Sequence, residues 1–199
     1  MRKVIVNEFL SLDGVAQAPG AADEDPSGGF AHGGWHLGYF DEDSQRWVLD
    51  SIVEAGAFLL GRRTYEIFAA YWPNAPADQQ VIAEPLNTKP KYVASTTLTE
   101  PLAWQSSALL EVGVSEAVTA LKETDGGDVH VIGSTQLVRT LVEHDLVDEY
   151  RLMIDPLVLG GGKRIFDDDG VLRPLRVVAS QVTSTGAILA TYAPARDQA

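Results

Sequence analysis

The feature that most constrains the fold is a junction that occurs twice: a short apolar run passes through a glycine directly into a helical stripe. Val129 to Ile132 reaches Gly133 just ahead of Leu137, Val138, Leu141 and Val142, which share one helical face. Ala57 to Leu60 reaches Gly61 just ahead of a predicted helix over Arg63 to Tyr71, ended near Pro73. Runs that alternate strand and helix in this way are built into parallel sheets, because a parallel neighbour requires a crossover.

The remaining pattern extends the alternation. Lys3 to Leu10 is rich in β-branched residues and leaves through the turn pair Asp13-Gly14, as a buried first strand does. Asp41 to Ala55 predicts a helix with acidic residues in its first turn, and Lys91 to Ser95 predicts another strand. Val114, Ala117, Val118 and Leu121 mark a further helix before the Asp125-Gly126-Gly127 turn. Three strand-like runs close the chain: Glu149 to Ile154, Leu175 to Thr183 and Ala187 to Tyr192. Ser184-Thr185-Gly186 makes a tight antiparallel connection between the last two. The expected architecture is a single α/β domain over residues 1–199, with a mostly parallel central sheet and a C-terminal antiparallel hairpin. Residues 16–34 collect Gly, Pro, Ala and Asp without periodicity, which suits either a substrate-covering loop or a floppy insertion.

Charge narrows the partners. Fifteen Lys and Arg face 28 Asp and Glu, a formal net charge of −13, so a phosphate backbone or an anionic leaflet is repelled over most of the surface. Nucleic acid and membrane are therefore not expected, and a small anionic ligand needs a local cluster of backbone N–H groups and basic side chains. The absence of cysteine excludes disulfides, thiolate catalysis and cysteine-bound metal. Asn7 and Glu8 interrupt the first apolar run well short of a signal peptide or a membrane span, so the expectation is a soluble, cytoplasmic protein.

Two segments meet the requirement for an anion. Gly133-Ser134-Thr135 aims free helix-start N–H groups outward, although Gly133 can equally be a plain turn and Ser134 an N-cap. Gly61-Arg62-Arg63-Thr64 puts two guanidinium groups and a hydroxyl at a helix start, where they can grip a phosphate or merely pair with surface carboxylates. Ser95, Thr96 and Thr97 add hydroxyls after the next strand. Gly160, Gly161 and Gly162 match neither a phosphate loop, which needs Ser or Thr where Arg164 stands, nor the doubly wound fingerprint, which needs a glycine at Ile165. They suit a backbone that passes close to a ligand or needs positive φ. His32 and His36 are four apart but separated by Gly33 and Gly34, so no metal site is expected. His130 and His144 lack any nucleophile motif. Trp35, Tyr39, Tyr71 and Trp72 are candidates either for a planar-ligand pocket or for the core.

Taken together, Ser11 to Val15 (SLDGV), Gly61 to Glu66 (GRRTYE), Val131 to Leu137 (VIGSTQL) and Asp148 to Phe166 (DEYRLMIDPLVLGGGKRIF) resemble the reductase domain of bacterial riboflavin biosynthesis and its stand-alone relatives. The resemblance implies the dihydrofolate reductase-like three-layer sandwich, a homodimer, and NADPH as cofactor for reduction of a small heterocyclic or carbonyl/imine substrate. It implies that Gly61, Arg62 and Thr64 hold phosphates, that Ser95 and Thr96 lie near the adenosine 2′-phosphate, that Gly133, Ser134 and Thr135 bind the pyrophosphate, and that Gly160, Gly161 and Gly162 border the nicotinamide. Asp13 would face the substrate and orient hydroxyls or relay a proton, against the alternative of the turn that Asp-Gly commonly makes. Trp35 is the aromatic candidate for the substrate side. The chain departs from the biosynthetic enzymes in lacking a deaminase motif and in carrying residues 16–34, and Asp41 only loosely echoes the acid that folate reductases place on their first long helix. The competing expectation is a protein of the same fold that binds NADP(H) or another small molecule without efficient turnover.

Overall fold

Every strand and helix expected from the pattern forms, and among the described residues one α-helix, one strand and four single-turn 3-10 helices appear that the pattern did not announce. The computed structural model describes residues 1–111 and 113–195. In chain order the elements are β1 (Val4–Ser11), α1 (Glu42–Glu54), β2 (Ala57–Gly61), α2 (Arg62–Tyr71), α3 (Gln80–Thr88), β3 (Lys91–Ala94), β4 (Ser107–Leu109), α4 (Val114–Glu123), β5 (Val129–Ile132), α5 (Thr135–Glu143), β6 (Glu149–Asp155), β7 (Leu175–Val182) and β8 (Ile188–Pro194). The strands form one eight-stranded sheet in the order β4-β3-β2-β5-β1-β6-β8-β7. Pairing is parallel between β4 and β3, β3 and β2, and β2 and β5. It is antiparallel where β8 meets β6 and β7. The fold is thus α/β, mostly parallel, with antiparallel strands at the C-terminal end.

The chain divides into two compact units, Met1–Val6 with Val48–Asp148, and Asn7–Trp47 with the residues from Glu149 on. In the first unit β2 is buried at all five positions, which is why it reads as an unbroken apolar run and not as an alternating one. Phe58, Leu60, Val93, Ile52, Tyr65, Leu86 and Trp104 make its core. The unannounced α3 contains Pro85, a residue that argues against helix in a sequence; Ala83 and Leu86 of α3 are buried, and this tertiary burial outweighs the missing hydrogen bond. Its C-terminal carbonyls are met by Lys91, only 1% exposed, whose Nζ donates to Leu86 O at 2.8 Å and Lys89 O at 2.9 Å. The three-residue β4 is too short to leave a periodic signal.

In the second unit Met153, Ala187 and Leu189 form a small core against Phe9, Tyr39 and Trp47. Segment 16–34 is tied down by hydrogen bonds. Buried Gln17 donates from Nε2 to Asp25 O and Ser27 O, each at 2.9 Å, Gly34 N donates to Ala18 O at 2.9 Å, and Trp35 Nε1 donates to Gln17 O at 2.7 Å. Among the described residues no helix is long and apolar enough to cross a membrane.

At the start of β2, Gly56 N donates to Asp128 O at 2.8 Å, and a Cβ on Gly56 would overlap the backbone of Gly127. Gly56→Ala is therefore expected to lower unfolding free energy by about 1–3 kcal/mol, the usual range for forcing atoms into a packed site, as read from urea midpoints.

Candidate functional site

The first unit brings both sequence-predicted junctions to the C-terminal ends of neighbouring parallel strands. Leu59 of β2 is in register with Val131 of β5, and two residues further along come Gly61 and Gly133. Each opens a helix: Gly61 is the N-cap of α2 and Ser134 that of α5, and no side chain caps either first turn. Ser134, in the left-handed region at φ of +60°, does not cap, and its hydroxyl lies 3.0 Å from Thr64 Oγ1. The two glycines make that contact possible. A Cβ on Gly61 would overlap the Ser134 side chain, and one on Gly133, whose φ is +60°, would lie 3.0 Å from Thr64 Oγ1. Two helix starts with uncapped N–H groups thus stand side by side, an arrangement suited to an anion with more than one phosphate.

On the other side of β2, Gly61 is in register with Ala94 of β3, so Ser95 follows at the same edge. Its Oγ accepts from Thr97 N at 3.2 Å and Leu98 N at 3.0 Å, while Thr96 is exposed. The Arg62 guanidinium lies on its own helix, 2.9 Å from Glu66 Oε2, as an exposed i,i+4 pair. Such a pair contributes little and leaves the guanidinium free to exchange partners. His130 is a core histidine, 1% exposed with Nδ1 3.0 Å from Ser51 Oγ, and His144 closes α5 with Nδ1 2.9 Å from Thr140 O.

In the second unit the structure joins two motifs that lie far apart in sequence. Asp13 Oδ1 accepts from Ser11 Oγ at 2.7 Å and Leu159 N at 3.0 Å, and Oδ2 accepts from Gly160 N at 2.9 Å. Arg164 donates from Nε to the Asp13 carbonyl at 2.9 Å. The amides of Leu159 and Gly160 and the Ser11 hydroxyl hold the Asp13 carboxyl down at about 2. An anion so tightly held has no proton to give at neutral pH, so in this arrangement Asp13 clamps the SLDG turn onto the glycine loop. Asp41 is spent in the same way: the hydroxyl and amide of Ser184 and those of Ser44 hold it well below the usual carboxylate range.

The glycine loop itself faces open space. Nothing lies within 4 Å of a Cβ built on Gly160 or Gly161, whereas Gly162, with φ of +129°, is packed against Val15 and Phe30. Gln17, Phe30, His32, Gly161 and Lys163 line a cleft of about 520 Å³. Lys163 Nζ is 2.6 Å from Asp25 Oδ2. Trp35 is half-buried and hydrogen-bonded to segment 16–34, with His36 beside it at 6.1 Å between rings.

Sequence reasoning missed two buried polar groups in this unit. His36 Nδ1 lies 2.8 Å from Asp155 Oδ2, with the two residues 3% and 0% exposed. The partners are 119 residues apart, so no local pattern announces them. Glu8, 6% exposed within β1, keeps Oε1 without a hydrogen-bond partner; burial, and then the charge of Glu24, push its carboxyl up to about 8. A carboxylate interrupting an apolar strand was the available signal. Among the described residues, no group of three or more His, Asp or Glu side chains is arranged to hold a metal ion.

The sequence model of the family described as RibD C-terminal domain matches residues 2–189. The uncharacterized protein YyaP of Bacillus subtilis is 26% identical over 197 residues, covering 96% of this chain and 94% of that protein. The crystal structure of a putative riboflavin biosynthesis protein from Shewanella sp. PV-4 superposes with a TM-score of 0.67 at 19% identity, covering 98% of this chain and 99% of that one. A dihydrofolate reductase from Enterococcus faecalis, solved with NADP(H), superposes with a TM-score of 0.61 at 12% identity over 97% of this chain and 96% of that one. The structural likenesses establish a shared dihydrofolate reductase-like fold.

Glu8 generates a pH prediction. Below its ordinary value of 4.5 the carboxyl is protonated in both folded and unfolded chains; between 4.5 and about 8 only the folded chain keeps the proton. Stability is therefore lost as pH rises through that window, by about 1.4 kcal/mol per pH unit. Glu8→Gln is expected to remove this slope in denaturant melts between pH 5 and 8; parallel curves for the two proteins would contradict the assignment.

Proposed function

The chain belongs to the RibD C-terminal domain family, and from that premise we propose that it binds NADP(H) in its first unit and reduces a small heterocyclic or carbonyl/imine substrate. The observation that carries the reading is the pair of uncapped helix starts at the adjacent ends of β2 and β5. The donor chemistry fits a dinucleotide: backbone N–H groups on two helix termini, hydroxyls on Thr64, Ser134 and Thr135, and two glycines that keep the strand ends free of Cβ bulk. Within this reading Gly61, Arg62, Thr64, Gly133, Ser134 and Thr135 hold the phosphates. Ser95 and Thr96 serve the 2′-phosphate. The bound cofactor supplies hydride. The protein supplies binding, orientation and a proton.

A second reading, a protein that binds NADP(H) without efficient turnover, is favoured by one observation: Asp13 and Asp41, the carboxylates that the resemblance pointed to, are both locked as anions. Oxidation of NADPH with pterin, aminouracil or carbonyl substrates separates the two readings. Binding itself is tested by titration. NADPH at a hundred times its Kd is expected to stabilise the protein by about 2.7 kcal/mol, and no stabilisation at millimolar NADPH would remove the proposal. Arg62→Ala is expected to raise the NADPH Kd by up to about 100-fold, as for loss of a charge-assisted phosphate contact, with little change in melting temperature because its present partner is an exposed Glu66. An unchanged Kd would take Arg62 out of the site.

A further inference from the structure

The start of α2 runs against the ordinary electrostatics of a helix. Acids are favoured in a first turn, and α1 and α4 follow that rule with Glu42, Asp43 and Glu116. In a chain with 28 acidic residues, α2 and α5 carry none in their first turns, and α2 opens on Arg62 and Arg63. The acid within α2 is Glu66. Helical side chains lean toward the N-terminus, so Glu66 reaches back to Arg62, whose Nη1 donates to Oε2 at 2.9 Å and to Oε1 at 3.1 Å. This pair is poorly suited to stabilising the helix. Its two side chains are 46% and 44% exposed, and the acid stands on the C-terminal side of the base, the weaker of the two i,i+4 orders. What the carboxylate does instead is occupy a guanidinium at the helix start, where a phosphate competes for the same N–H groups.

The geometry points to Glu66 as the displaceable counter-ion of the phosphate cradle, a positioning residue that holds Arg62 while no ligand is bound and yields it to a bound phosphate. The inference rests on the cofactor reading above and deepens it. Carboxylate and phosphate offer the guanidinium the same kind of charge-assisted contact, and the phosphate, with more acceptor oxygens, wins the exchange. The ligand therefore gains only the difference between two such contacts, and its affinity is lower than the cradle would otherwise give. Release is eased by the same exchange. As the phosphate leaves, Arg62 returns to a carboxylate one turn away on its own helix, so the guanidinium is never left without a counter-charge. A reductase that must trade spent cofactor for fresh at every turnover is served by such a contact, because product release often limits the rate.

A double-mutant cycle on the full chain tests this, with NADPH and inorganic pyrophosphate titrated separately into wild type, Glu66→Gln, Arg62→Ala and the double variant. Physiological ionic strength is used, where exposed charges are screened beyond about 8 Å. Glu66→Gln is expected to bind NADPH about two- to fivefold more tightly, the worth of one exposed ion pair, and to release it more slowly. In the Arg62→Ala background the same substitution is expected to leave the Kd unchanged, because the guanidinium that Glu66 competes for is gone. A carboxylate that merely stabilised α2 would leave the Kd unmoved in both backgrounds. That result, weaker binding in Glu66→Gln, equal tightening with and without Arg62, or wild-type affinity for both probes in Arg62→Ala overturns the proposal. If wild-type protein binds pyrophosphate with the expected cycle but does not bind NADPH, the counter-ion stands and the cofactor reading is overturned. Failure of both probes to bind wild-type protein overturns both.

Discussion

Two strand-to-helix junctions of the first unit depend on each other for their shape. Thr64 at the start of α2 and Ser134 at the start of α5 touch through their hydroxyls at 3.0 Å, and each sits where the other junction has a glycine. Because Gly61 and Gly133 carry no Cβ, β2 and β5 can end level and their helices can begin without a side-chain cap. The uncapped N–H groups that result are a local positive feature in a chain of net charge −13. The same contact that packs the unit therefore sets the two helix starts side by side, and the proposed pyrophosphate contacts follow from it.

In the second unit a comparable dependence runs through Asp13. Its carboxylate joins the turn after β1 to the glycine loop after β6, and Gln17, Lys163 and Asp25 continue the connection into segment 16–34. The amides of Leu159 and Gly160 and the Ser11 hydroxyl that hold this carboxylate are also what lower its pKa.

The sequence carried the alternation of strands and helices, the parallel sheet and the antiparallel end, because buried β-branched runs and helical stripes are local signals. It also carried both glycine junctions. It did not carry α3, where Pro85 masks a helix whose stability comes from tertiary burial of Ala83 and Leu86, nor β4, whose three residues are too few for a period. For the site, residue types were legible but roles were not. Asp13 became a clamp through partners 146 and 147 residues away, and His36 became an oriented imidazole through one 119 residues away. No window of sequence contains such pairs.

The central claim is that the paired starts of α2 and α5 form the phosphate cradle of a nicotinamide dinucleotide. A crystal structure of the protein grown with NADPH tests it most directly. The account predicts pyrophosphate density within hydrogen-bond distance of the amides at Arg62 to Thr64 and at Ser134 to Gln136. Ordered NADPH whose phosphates lie away from both helix starts would contradict it.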